Sequence, residues 1–363
     1  MTGIEHIYRA DIAAAAVLIS MGAVLGRTSY IQLMVMAFIE IAAYAGNLYL
    51  GTKIFQAADA GGSIFVHTFG AYFGLAVSYV INRKKDGSEE TRSPLLESNY
   101  TSDLFAILGT MFLWLFWPSF NAVELKGDDQ HRAVINTYLA LTSCCTSTFA
   151  ASLILTPDRK FDMVHIQNST LAGGVAVGAS ANLMLQPYGA VIIGIISGVV
   201  SVVGYSRITP YLEKRWSLQD TCGVHNLHGL PGVLGTVVSV VMAAVASEET
   251  YHQSLYETYP ARASPTPAPT PDYHIAPGVG RGAGQQAGYQ LISLLVTLAV
   301  AVASGFITGF VLKWSKIGQI PSESQYDDAI FWAMPEHAPA PVKKVTEAVS
   351  QYHNASFEVP VDG

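Results

Sequence analysis

Two histidines stand inside long apolar runs, each embedded in the same pattern. Asp59, Gly62, His67 and Gly74 recur as Asp220, Gly223, His228 and Gly235, all displaced by 161 positions. Each copy reads D-x-x-G-x-x-x-x-H-x-x-x-x-x-x-G. An ionisable side chain inside a bilayer is costly enough to mark function by default. Neutral imidazole carries one donor and one acceptor nitrogen, so a facing pair could share a proton and offer a polar edge to a small neutral solute. The pair suits a metal poorly, because no third cysteine, histidine or carboxylate falls at helical spacing beside either ring. Asp59 and Asp220 are placed to cap helix starts and complement the helix dipole. Asp59 is also the better candidate for recruiting a cation.

The elements that must position these groups are apolar helices. Half of the 363 residues are hydrophobic and only 13% are charged, with a mean hydropathy of +0.33; soluble domains carry about 25% charged residues. Uncharged runs of about 20 residues match the hydrocarbon thickness of a bilayer. They predict nine spans, over 10–26, 31–51, 61–82, 102–121, 131–155, 162–183, 185–205, 222–246 and 286–314. Lipid leaves only helices or closed barrels able to satisfy the backbone, and the alternation of barrel strands is absent. The fold class expected is an all-α polytopic membrane protein.

With residues 83–101 placed in the cytoplasm, inside loops hold ten lysines and arginines and outside loops five. The positive-inside rule favours this orientation, with the amino terminus outside and the carboxyl tail inside. The third span then runs inward and the eighth outward. Asp59 falls at the outer mouth and Asp220 at the inner one. Each histidine lies about 12 Å further in, so both approach the midplane from opposite sides. Inverted repeats that share a central site are a recurrent transporter design.

Residues 1–315 are expected to form the membrane domain and 316–363 a mostly disordered cytoplasmic tail, with a short helix over 342–352. Residues 83–101 read as a flexible cytoplasmic loop. Residues 247–285 read as an extracellular loop too rich in proline and glycine to fold alone. Glycines four apart (Gly22 and Gly26, Gly70 and Gly74, Gly174 and Gly178) mark close helix crossings in lipid. Cys144, Cys145 and Cys222 fall within spans and imply no disulfide framework. His131, His165 and His225 read as interfacial histidines.

Five segments resemble the Rh branch of the ammonium transporter superfamily: DAGGSIFVHTFGAYFG (59–74), DLFAILGTMFLWLFWPSFN (103–121), INTYLA (135–140), DMVHIQNSTLAGGVAVG (162–178) and DTCGVHNLHGLPGVLG (220–235). The resemblance covers about residues 1–315. It implies a homotrimer in the plasma membrane with one pore per subunit, ammonium gathered and deprotonated outside, and ammonia passing along paired histidines. On that analogy His67 and His228 are the pair, Asp59 is the buried acid near the outer part of the pore, and Phe120 belongs to the outer gate. The family's second gate phenylalanine is replaced by Ile12, which occludes but offers no cation–π face. The family pattern also has two or three helices ahead of residue 10, so the repeat is expected to be incomplete in its first half.

Competing readings are a non-conducting structural subunit or truncated isoform, a proton-coupled cation transporter, and a carbon dioxide channel. The histidines argue against the first, and a current proportional to flux would mark the second. A membrane enzyme is disfavoured by the lack of a nucleophile–base set. Nothing in the sequence calls for a cofactor, a metal or a nucleic-acid partner.

Overall fold

The computed structural model describes residues 3–82, 94–266 and 274–333. Among these, all regular structure is helical. Among the described residues, eight helices are long and apolar enough to cross a membrane. In chain order the elements are α1 (Ile4–Val24), α2 (Tyr30–Tyr49), α3 (Phe69–Ile81), α4 (Tyr100–Ala122), α5 (Gly127–Leu155), α6 (Met163–Ser169), α7 (Ala172–Gly178), α8 (Gln186–Val203), α9 (Thr209–Trp216), α10 (Leu230–Val245), α11 (Glu248–Tyr251), α12 (Leu255–Thr258) and α13 (Ala283–Leu312). Four π-helical turns, Leu50–Ile54, Ser63–Thr68, Gly204–Ile208 and His225–Gly229, extend α2, lead into α3, join α8 to α9 and lead into α10.

The predicted sixth span is the exception to continuous crossing. It breaks at Thr170 and Leu171 into α6 and α7, and all of α7 is buried. The cause is a side chain inserted into the helix ladder. The Cys144 thiol donates to Ser169 O at 3.0 Å and accepts from Gly173 N at 3.1 Å, between two groups that would otherwise bond each other. The Ser63 hydroxyl does the same where α7 ends, accepting from Ala179 N and donating to Val175 O, each at 2.7 Å. Asn121 Nδ2 donates to Gly174 O at 3.1 Å and to Thr137 Oγ1 at 3.0 Å. Irregular backbone at membrane depth survives only where protein supplies such partners.

Glycine permits the closest crossing. A Cβ on Gly70 would meet Ala16 O at 2.7 Å, and one on Gly74 would meet the Ser20 backbone at 2.7 Å. The α1 and α3 backbones therefore touch there, and the core of Met36, Tyr44, Phe69, Phe73 and Ala301 builds around that contact.

Part of the 247–285 loop is more structured than its composition suggests. Residues 248–262 wind into short helical turns whose Tyr251, Leu255 and Tyr259 are buried against Leu183 and Ala287. Three large side chains supply the apolar burial that holds these turns. Residues up to Tyr326 form one compact unit, with Tyr326 N donating to Gly26 O at 2.8 Å. A second unit begins at Asp327, with a 3₁₀ turn over Asp328–Ile330. The expected tail helix at 342–352 and most of the 83–101 loop lie outside the described residues.

Candidate functional site

Both copies of the repeated motif fold alike. Gly62 and Gly223 take left-handed backbone, φ +70° and +71°, a conformation in which a Cβ is penalised. In each copy that glycine's amide donates to its own aspartate carbonyl at 3.3 Å. Each aspartate side chain then turns back onto the amides that open the following π turn. Asp59 Oδ2 accepts from Ile64 N at 3.0 Å and Phe65 N at 2.9 Å. Asp220 Oδ1 and Oδ2 accept from Val224 N and His225 N, both at 2.9 Å. A glycine in the preceding π turn makes room each time, Gly51 against Phe65 and Gly204 against Asn226.

The copies differ in one respect. Asp220 uses both oxygens, whereas Asp59 Oδ1 is buried without a partner. Both acids lie outside the spanning segments. Burial pushes both carboxyls up, to about 7 and about 6 respectively, against the pull of the backbone amides.

The two motif segments pack antiparallel. Along one, Ser63, His67 and Tyr72 meet Gly235, His228 and His225 in reverse order along the other. The imidazoles thus face each other with Nδ1 to Nδ1 at 3.1 Å and ring planes 9° apart. At 3.1 Å, one nitrogen carries a proton and the other accepts it. Each ring sits in a π turn, a rare geometry that recurs at functional sites. Trp117 stacks near-parallel to His67 at 5.7 Å, and Phe120 closes on it at 5.8 Å. His67 Nε2 is buried and has no hydrogen-bond partner.

Two cavities flank this pair. One of about 510 Å³ has His67 and His228 in its wall, with Ile19, Gly22, Leu113 and Trp117 among the rest. The other, of about 620 Å³, is lined by Asp59, Ile12, Tyr44, Phe65 and Glu124, with an Arg9–Glu124 ion pair of 3.1 Å on its wall. Phe120 belongs to both linings, while Ile12 belongs only to the second. Asp220 lines neither.

The other histidines separate. His131 is exposed. His165 is buried, its Nδ1 in contact with Ser152 Oγ at 3.1 Å and its amide donating to Asp162 at 3.1 Å. His225 is buried edge-on to Tyr72, and its Nδ1 has no partner. The latter two sit near the starts of their helical segments and are covered by neighbouring helices.

Several supporting residues give no motif signal in the sequence. Gln290 of α13 brackets Ala58, accepting from its amide and donating to its carbonyl, both at 2.8 Å. Gln286 donates to Gln56 O at 2.9 Å. Together they hold the loop that presents Asp59. Asn82 donates to Ser217 O at 2.6 Å and Ser78 to Gln219 O, which fix the loop before Asp220. Two glutamines four apart in an apolar span were the one available clue.

Among the described residues, no group of three or more histidines, cysteines or acids could hold a metal ion. The arrangement can pass or share a proton between two imidazoles, and offer hydrogen bonds along an otherwise apolar wall.

The profile of the Ammonium Transporter Family matches residues 1–330. The ammonium transporter Rh type B-A of Xenopus laevis is 52% identical over 259 residues, which cover 71% of this chain and 56% of that protein. The ammonium transporter Rh type B of Mus musculus is 51% identical with the same coverage. The chain thus spans just over half the length of the curated relatives it matches. Among solved structures, the Rhesus-family channel Rh50 of Nitrosomonas europaea superposes with a TM-score of 0.71 at 33% identity, covering 97% of this chain and 80% of that one. A sensor Amt protein shares the fold, with a TM-score of 0.65 at 22% identity over 88% of this chain and 74% of that one.

Proposed function

The chain belongs to the Rh branch of the ammonium transporter family, and we propose that it passes ammonia across a plasma membrane, with largely no net charge movement. Ammonium gathers in the cavity that holds Asp59 and Glu124 and loses its proton there. Ammonia then moves past Phe120 and Ile12, which act as the outer gate, and along His67 and His228. The assembly is a homotrimer, with the amino terminus outside and the carboxyl tail in the cytoplasm.

The observation that carries the reading is the buried contact of 3.1 Å between His67 and His228 beside an apolar cavity. Bare ammonium would have to leave water without a countercharge among the cavity's lining residues, at a cost of at least several kcal/mol. Ammonia needs only hydrogen-bond partners, and an imidazole pair supplies a donor and an acceptor in turn. Asp59 Oδ1, buried and unpartnered, is the atom on which an incoming cation would settle.

The test is ammonia or methylamine flux into proteoliposomes, comparing the native chain with the double variant His67→Leu/His228→Leu. A well-folded double variant should lose nearly all flux, and unchanged flux would sink the assignment. A current that scales with flux in the native chain would replace neutral passage with ion transport.

A further inference from the structure

Glu40 is the acid this pathway leaves unused. It lies ten residues into α2, about 15 Å from the helix start, and is fully buried. Its Oε1 meets Ser20 Oγ of α1, and its Oε2 has no partner. Ser20 Oγ also meets Gly70 O at 2.8 Å and Ala16 O at 3.2 Å. Three oxygens therefore surround one hydroxyl, which owns a single proton.

With Glu40 ionised, all three neighbours are acceptors, and the hydroxyl can satisfy only one. A bare carboxylate oxygen would also remain in the bilayer interior, where charge is most expensive. With the proton on Glu40, each group has a role. The carboxyl O–H donates to Ser20 Oγ, and Ser20 donates to Gly70 O. No charge is left, and the unpartnered Oε2 becomes a neutral carbonyl oxygen.

We propose that Glu40 is held as a neutral carboxylic acid whose proton bridges α2 to α1 and, through Ser20, to Gly70 of α3, so that it positions the helix that carries His67. Gly70 lies three residues beyond His67, close to one helical turn. On α1, Ile19 beside Ser20 lines the histidine cavity. On α2, Ile41 and Tyr44 line the outer cavity. One proton thus joins α1, which lines both cavities, to α2, which lines the outer one, and to the helix that follows His67. The protonated acid stands whatever passes through the molecule, whereas its positioning role rests on the proposed ammonia passage.

Infrared difference spectra of the full chain in bilayers, native minus Glu40→Gln, read the protonation state directly. The expected difference is a lost carbonyl band of a protonated carboxylic acid that shifts on exchange into D₂O. Loss of carboxylate bands instead would overturn the proposal. Flux reads the positioning role. Glu40→Gln keeps a donor for Ser20 and should retain flux within about twofold of native. Glu40→Asp is too short for the bridge and should fall at least about fivefold, the ratio expected from one hydrogen bond of ordinary worth. Should Glu40→Asp fail to fold, Ser20→Ala removes the same bridge from α1 and carries the comparison. Equal loss in Glu40→Gln and Glu40→Asp would refute positioning by the bridge. A native chain with no flux at all would remove the proposed function while leaving the infrared result intact.

Discussion

Replacing each motif aspartate by asparagine should separate capping from cation recruitment, because the two acids spend their oxygens differently. Asp59 accepts both amides on Oδ2, and its Oδ1 has no partner. Asparagine can put its one carbonyl oxygen where Oδ2 sits and keep both bonds without their charge assistance, its NH₂ taking the place of the already unpartnered Oδ1. At roughly 1 kcal/mol per bond, Asp59→Asn should cost about 2 kcal/mol of stability. Asp220 spends one oxygen on each amide. Asparagine there weakens one bond by about 1 kcal/mol, then loses the other and leaves a buried amide facing its own NH₂, for roughly 3 kcal/mol more. Asp220→Asn should therefore be the less stable variant by about 2 kcal/mol, read from unfolding midpoints in mixed micelles. The folded Asp59→Asn chain should need more methylammonium for half-maximal uptake, since the carboxylate is gone. Equal stability losses would refute the geometric account. An unchanged half-saturation in folded Asp59→Asn would reduce Asp59 to a helix cap.

Two further substitutions probe the frame that holds the site. Gly74→Ala places a Cβ 2.7 Å from the Ser20 backbone, and separating α1 from α3 should cost about 1–3 kcal/mol in the same unfolding assay. Ser63→Ala removes the hydroxyl held between Val175 O and Ala179 N. The two groups can then bond each other, so the loss should stay near 1 kcal/mol, while amide hydrogen exchange at Ala179 slows.

The repeated motif made the centre of the site readable before any coordinates. Equal spacing from aspartate to histidine, combined with opposite topology, brings two rings to one depth, and the left-handed glycines follow from the same pattern. Helix number was legible from apolar length except at 162–183. There hydropathy registered one continuous run, because the break is filled by the Cys144 thiol, which becomes a neighbour only when α5 packs against the segment. Glu40 is a lone acid in an apolar run, but its partners Ser20 and Gly70 become neighbours only when three helices pack. Trp117 against His67 and Gln290 against the Asp59 loop are contacts of the same kind. Each residue looks ordinary in its own helix, and no periodicity records which face meets which.

The broken α6–α7 segment also constrains how the chain is made. Neither half is long enough to span, and in the folded chain the segment takes hydrogen-bond partners from outside itself. Among these partners are Ser63 Oγ, Asn121 Nδ2 and the Gly61 amide, which donates to Gly178 O at 2.9 Å. All three precede α7 in the sequence, so a ribosome delivers them first. The earlier helices thus act as a built-in insertion scaffold. Synthesis from the amino end brings a segment whose halves are each too short to span to a cleft lined with these groups.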